Sequence, residues 1–128
     1  MRFPTNLSAK IKFKTEGPRL RVFQRAAIEG SVILHDDNNL FIAPLENISA
    51  GGIFVEHLNS IPQGSQVRLV VKSAKLHAPI QAMGTVVRVE DSQRQGMAIE
   101  FTSISSRARE AIQNCVFETR MERVLKVA

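Results

Sequence analysis

The chain of 128 residues contains no tryptophan, no tyrosine and one cysteine, and it has no long apolar run. Because the lone Cys115 cannot form an internal disulfide, we expect a reducing compartment, the cytoplasm. The apolar stretches extend over only a few residues, far short of the roughly 20 that a membrane-spanning helix needs. We therefore predict neither a transmembrane span nor a signal peptide.

Basic residues outnumber acidic ones. The chain has 17 lysines and arginines against 12 aspartates and glutamates, which gives a formal net charge of +5. Such an excess favours an anionic partner, which could be a nucleic acid, a nucleotide or an acidic lipid headgroup. The composition, 44% hydrophobic and 23% charged, is typical of a globular protein, and the length suits one domain.

Short apolar segments separated by polar turns fill the middle of the chain. They predict strands over residues 28–34, 40–45, 53–56, 67–72, 80–90 and 96–101. Gly84 interrupts the longest of them and predicts a bend or bulge there. Consecutive strands with no helix between them favour an antiparallel sandwich or barrel over a parallel sheet.

The end of the chain changes to a helical period. Ser105 or Ser106 is the expected N-cap, and the helix should run to about Lys126. One face carries Ala108, Ala111, Ile112 and Cys115, and a second face carries Phe117, Met121 and Val124. We expect both stripes to pack within the monomer; the alternative is that the second stripe forms a homodimer contact.

The start of the chain is basic. Lysines alternate with apolar residues over 10–14, which predicts either an edge strand or a mobile arm. The Gly17-Pro18 pair then marks a boundary, so we assign 1–18 to a basic N-terminal extension and 19–128 to one domain. An arginine cluster forms a linker ahead of the first strand; it comprises Arg19, Arg21 and Arg25.

Two short motifs stand out, Arg21-x-x-x-Arg25 in the linker and Asn47-x-Ser49-x-x-Gly52 at a corner after the first hairpin. Together they resemble the RxxxR and [D/N]xSxxG motifs of the PilZ family. Each is weak alone, but their order, their spacing and the later strand 96–101 before a helix make the joint resemblance strong. It covers roughly residues 19–117 and implies a mainly β fold, a small antiparallel β-barrel of the split-barrel type with a C-terminal α-helix.

The resemblance also implies a function, that of a bacterial cyclic di-GMP receptor that binds this ligand, uses no cofactor or metal and catalyses nothing. Its ligand-binding residues would be Arg21, Arg25, Asn47, Ser49 and Gly52. Arginine suits a ligand with two phosphodiesters and two guanines, because its guanidinium binds phosphate oxygens or guanine O6 and N7 bidentately. An amide and a hydroxyl can bind a base edge, and a glycine lets the ligand approach the backbone.

On this interpretation, ligand binding orders the linker and changes the surface that the domain presents to a protein partner in motility, adhesion or biofilm control. Leu20 stands where relatives often carry another basic residue. Some relatives bind one dinucleotide and others a stacked pair, and Arg19 or Lys14 could serve a second copy.

Two other functions stay open. One is a PilZ-like adaptor that binds a protein without the nucleotide, and the other is a barrel that binds single-stranded nucleic acid, although such sites usually carry more aromatic residues. An enzyme is least expected, because no nucleophile and base pair is recognisable. The histidines are not spaced with Cys115 as metal ligands, and Asp36 and Asp37 indicate a loop rather than a calcium site. Arg88 is expected to be a cross-strand partner.

Overall fold

The computed structural model describes residues 23–56, 61–90 and 95–127. Its elements are β1 (Gly30–His35), β2 (Leu40–Ser49), β3 (Gly52–Glu56), β4 (Gln66–Lys72), β5 (Ile80–Glu90), β6 (Gly96–Ile104) and α1 (Ser106–Val127). The strands form a closed antiparallel barrel in the order β1-β2-β3-β6-β5-β4, which confirms the predicted fold class. The N-terminal extension, Arg19, Arg21 and His57 lie outside the described residues.

Apolar side chains at alternate positions of the strands fill the interior of the barrel. In β1, Val32 and Leu34 are buried, and in β4 the same holds for Val67, Leu69 and Val71. Successive side chains of a strand point to opposite faces, so every second residue enters the core. The apolar alternation in the sequence therefore determines which face of each strand points into the barrel.

Strand β2 is longer than predicted, and this corrects the position of the corner. It continues through Asn47 to Ser49, so only Ala50 and Gly51 form the turn into β3. A register shift between Leu45 and Asn47 marks a bulge. A bulge bends a strand, so the first half of β2 can pair with β1 and its second half with β3.

The predicted irregularity at Gly84 is present. Strand β5 changes register against β6 between Met83 and Gly84, and again between Val86 and Arg88. A Cβ at Gly84 would lie 2.8 Å from the carbonyl oxygen of Glu100. The two strands approach closely at this point, as expected where a barrel wall curves.

The hairpin turn between β1 and β2 is held by Asp36. Its Oδ1 accepts hydrogen bonds from the backbone N–H of Asn38, at 2.9 Å, and of Asn39, at 2.8 Å. These two bonds lower the pKa of Asp36 below its usual value. Its carboxylate thus belongs to the turn, in agreement with the predicted loop.

The helix begins after Ser105, whose Oγ accepts a hydrogen bond from the N–H of Ala108 at 3.0 Å. On the barrel side, Ile112, Cys115 and Val116 are buried, and burial raises the pKa of the Cys115 thiol. Ala111, expected on this stripe, is exposed. Among the described residues, no helix has the combination of length and apolar composition that crossing a membrane requires.

The expectation that both helical stripes pack within the monomer is wrong. Phe117, Met121 and Val124 are 65%, 41% and 59% exposed. Within the described residues, α1 packs on the barrel through its opposite face, so the barrel leaves the second stripe uncovered. An ion pair of 2.9 Å between Lys75 Nζ and Glu122 Oε1 connects the later turns of the helix to the loop after β4.

We expect Ser105→Ala to lower the free energy of unfolding by about 1 kcal/mol, because the first turn of α1 loses the acceptor that caps it. Urea denaturation followed by circular dichroism measures this change. Ser106→Ala is the matched control, since it removes a neighbouring exposed hydroxyl inside the helix, where alanine is well tolerated. Equal effects of the two substitutions would contradict the cap.

Candidate functional site

The linker ahead of the barrel returns to the second half of β2. The N–H of Ala26 donates to the carbonyl of Ile48, and the N–H of Ile48 donates to the carbonyl of Ala26, both at 3.0 Å. These reciprocal bonds form an isolated antiparallel bridge. Since Ala26 directly follows Arg25 and Ile48 lies inside the second motif, the bridge brings Arg25 to the second motif.

Arg25 and Asn47 meet next to this bridge. Arg25 Nη1 donates a hydrogen bond to Asn47 Oδ1 at 2.7 Å, and the pair is partly buried. A charged donor makes this bond stronger than one between neutral groups. Two of the predicted site residues are thus in direct contact, although 22 positions separate them in sequence.

Ser49 serves the turn itself. It is 3% exposed, and its Oγ accepts from the N–H of Gly51 at 3.1 Å and donates to the carbonyl of Gly52 at 3.5 Å. Serine commonly satisfies turn backbone in this way. Its predicted contact with a ligand stays a prediction, and the contacts present are those of a structural residue.

Gly52 is required by the packing of strands rather than by a turn. A Cβ here would lie 2.2 Å from the carbonyl oxygen of Ile99 and 3.2 Å from the Cα of Glu100, both in the paired strand β6. No left-handed backbone is involved, because Gly64 is the described glycine with a positive φ, of 95°. The glycine of the second motif therefore has a reason to be glycine that is independent of any ligand.

Two arginines of α1 extend the site, and the sequence reasoning did not find them. Arg120 Nη1 donates to the backbone carbonyl of Arg25 at 3.1 Å, and the Arg109 guanidinium lies 5.7 Å from the centre of the Phe23 ring. Phe23 in turn covers Gly51, where a Cβ would lie 3.0 Å from its Cδ2. Linker, corner and helix thus meet at one place, to which the linker contributes Arg25 and the helix Arg109 and Arg120.

A signal for these helical arginines was available. Arg109 and Arg120 are eleven positions apart, which is about three turns of an α-helix, so both lie along one edge of α1. The predicted helix alone places them together. The sequence could not show that this edge faces the linker, because that depends on how α1 packs on the barrel.

Other candidates lie elsewhere. Arg88 forms an ion pair within its own strand, where its Nε lies 2.8 Å from Glu90 Oε2, and its guanidinium lies 5.9 Å from the ring centre of Phe54 in β3. Within the described ranges, no three histidine, cysteine, aspartate or glutamate side chains are grouped to hold a metal ion.

A family model covers most of the chain. The model of the PilZ domain family matches residues 19–118, so most of the chain is covered. The chain belongs to the PilZ domain family. Among curated protein sequences, none matches it significantly.

Solved structures share the fold at low identity. The Bacillus subtilis inhibitor of motility MotI, also called DgrA, matches with a TM-score of 0.71 and 21% identity over 81% of this chain and 53% of its own. The PilZ domain of YcgR from Escherichia coli, solved with c-di-GMP, matches with a TM-score of 0.64 and 13% identity over 85% of this chain and 98% of its own. This chain spans about half of the MotI structure. It spans 49% of a second YcgR structure from Escherichia coli, which extends beyond the PilZ domain.

We expect Gly52→Ala to lower the free energy of unfolding by roughly 1–3 kcal/mol or more, measured without any ligand, because its Cβ meets fixed backbone. Gly51→Ala is the control, since its Cβ would meet the side chains of Phe23 and Ser49 and not fixed backbone. A thermal or urea melt compares the two variants. If Gly52→Ala were as stable as the parent chain, the packing role would be wrong.

Proposed function

We propose that this chain is a receptor for cyclic di-GMP that binds the dinucleotide and performs no chemistry on it. The observation that carries the proposal is the 2.7 Å bond that holds the Arg25 guanidinium at Asn47. It joins one residue of each motif at one place on the barrel surface. Family membership supports the same ligand, as does the c-di-GMP bound to the PilZ domain of YcgR.

The chemistry of the site suits this ligand. A guanidinium has five N–H donors in a rigid fork, so its bond to Asn47 orients the group while the fork matches phosphate oxygens or guanine O6 and N7. Arg109 and Arg120 add positive charge at the same surface, which favours a dianion. We assign Arg21, Arg25 and Asn47 to direct ligand contact, and Ser49 and Gly52 to the shape of the corner.

We further propose that ligand binding changes the arrangement of the linker and so signals to a protein partner in motility, adhesion or biofilm control in the cytoplasm. The bond from Arg120 to the carbonyl of Arg25 supports this idea, because a shift of the linker would act directly on α1. A ligand can shift this equilibrium only by as much as its affinities for the two arrangements differ.

The exposed stripe of α1 supports a proposal on assembly, a homodimer formed through the helix. Phe117, Met121 and Val124 follow spacings of four and three residues, as in helices that pack against each other. A tetrameric PilZ protein from Xanthomonas campestris is described as self-assembled through a helical bundle. It matches with a TM-score of 0.52 and 17% identity over 70% of this chain and 52% of its own.

We expect Arg25→Ala and Arg21→Ala each to weaken cyclic di-GMP binding at least tenfold in isothermal titration calorimetry, since each removes a bidentate contact of about 1–3 kcal/mol. Arg25→Lys should also weaken binding, because it keeps the charge but lacks the fork.

The matched control is Arg68→Ala, which removes the same side chain from strand β4. It should leave the affinity unchanged. Unchanged affinity in both Arg21→Ala and Arg25→Ala would contradict the assignment, and a preference for a single-stranded oligonucleotide in competition would favour the nucleic-acid alternative.

We expect Met121→Glu to convert a helix-mediated dimer into a monomer, because it places a charge in the centre of the stripe. Light scattering after size-exclusion chromatography measures the mass. Ala111→Glu, which adds the same charge at an exposed helical position away from the stripe, should leave the dimer intact. A parent chain that stays monomeric at high concentration would contradict this assembly.

A further inference from the structure

The barrel carries a second surface, made of the outward side chains at the start of β2 and in β1, β4 and β5. The register of the strands places these side chains in three cross-strand rows, which we call the outer face. Its rows are Leu40, His35, Arg68 and Met83; Ile42, Ile33, Val70 and Gln81; and Pro44, Ser31 and Lys72. Of these four strands, only β2 also contributes to the candidate site, through its last residues Asn47 to Ser49.

The outer face is unusually apolar for exposed barrel wall. Ile42 and Leu40 are 70% and 64% exposed, and Met83 is also exposed. Ile33 and Val70 continue the middle row from Ile42 and are half-buried. Single exposed apolar residues need no explanation, but a contiguous group of them across three strands indicates an interaction surface.

The charges on this face have one sign. Arg68 and Lys72 flank Val70 on β4, and both are exposed. None of the residues in the three rows is acidic, whereas Asp36 and Glu46 lie beyond the ends of the rows. An apolar centre with cations beside it is complementary to a surface that presents aliphatic and acidic side chains.

A shallow groove adjoins these rows. It has a volume of about 350 Å³ and is lined in part by Arg68, Val70 and Met83 of the outer face, together with Ala82 and Ile104. Arg68 belongs to both the groove and the first row, so it places a positive charge where the two meet. A side chain projecting from a bound segment could therefore enter the groove while the segment covers Ile42 and Val70.

We propose that the outer face is the docking surface for an acidic protein partner that contributes aliphatic side chains. The inference rests on the proposed function only because a receptor needs a surface that binds its protein partner. It requires no contact between the outer face and cyclic di-GMP. The positive charges of the outer face favour an acidic partner, and its apolar middle row is the area that aliphatic side chains of the partner would bury.

Other occupants fit less well. The N-terminal segment 1–22 of this chain has five more lysines and arginines than acidic residues, so its charge matches that of the outer face instead of complementing it. A membrane surface is disfavoured because the rows contain no tryptophan or tyrosine, the residues that usually anchor proteins at lipid interfaces. A flat bilayer would also leave the groove unfilled.

The test uses the whole chain and two synthetic peptides with the same leucine pattern, one with glutamates and one with lysines at the remaining positions. We expect amide shifts in NMR spectra to show that only the glutamate peptide binds, with changes centred on the three rows. Ile42→Ser should weaken this binding at least about fivefold and Arg68→Glu at least about tenfold. Val87→Ser, which changes another exposed aliphatic residue of the barrel, should have less than about a twofold effect.

Several outcomes would overturn the proposal: equal binding of both peptides, no binding at millimolar concentration, or no effect of Ile42→Ser. Binding to phosphatidylglycerol vesicles that Ile42→Ser abolishes, without discrimination between the peptides, would assign the face to membranes. A change of molecular mass in Ile42→Ser would assign it to a second copy of the chain. Peptide binding that persists while calorimetry detects no cyclic di-GMP binding would separate this proposal from the proposed function.

Discussion

Two backbone hydrogen bonds between Ala26 and Ile48 organise the candidate site. They attach a linker to the second half of β2, and every other contact of the site lies beside them. Arg25 reaches Asn47 because its neighbour Ala26 is fixed, and Arg120 reaches the carbonyl of Arg25 for the same reason. These two bonds use only backbone atoms, so they attach the linker without engaging the arginine side chains.

The sequence predicted the strands and the helix well because each has a clear apolar period. Alternation in β1 and β4 and the change of period at Ser105 are local properties, and the barrel satisfies them all at once. The contact between Arg25 and Asn47 could also be expected, but only through the resemblance to a family. Periodicity alone contains no information on which distant motifs meet.

Two features depend on what lies opposite a residue, which no local pattern predicts. The sequence suggests a ligand's approach as the reason for Gly52, and the structure adds another reason, since the carbonyl of Ile99 occupies the position that a side chain would need. The stripe of Phe117 and Met121 was expected to be covered, but α1 presents its other face to the barrel. Tertiary neighbours decide such questions, and no local pattern records them.

Closure of the barrel has a consequence for recognition. Each of the six described strands pairs on both sides, because β1 bonds to β4 and completes the ring. A sheet with an open edge can bind a partner by adding that partner's chain as one more strand, and backbone hydrogen bonds then supply much of the affinity. Among the described strands none lies at the end of an open sheet, so a protein that binds the barrel wall is recognised mainly through the shape and charge of its side chains.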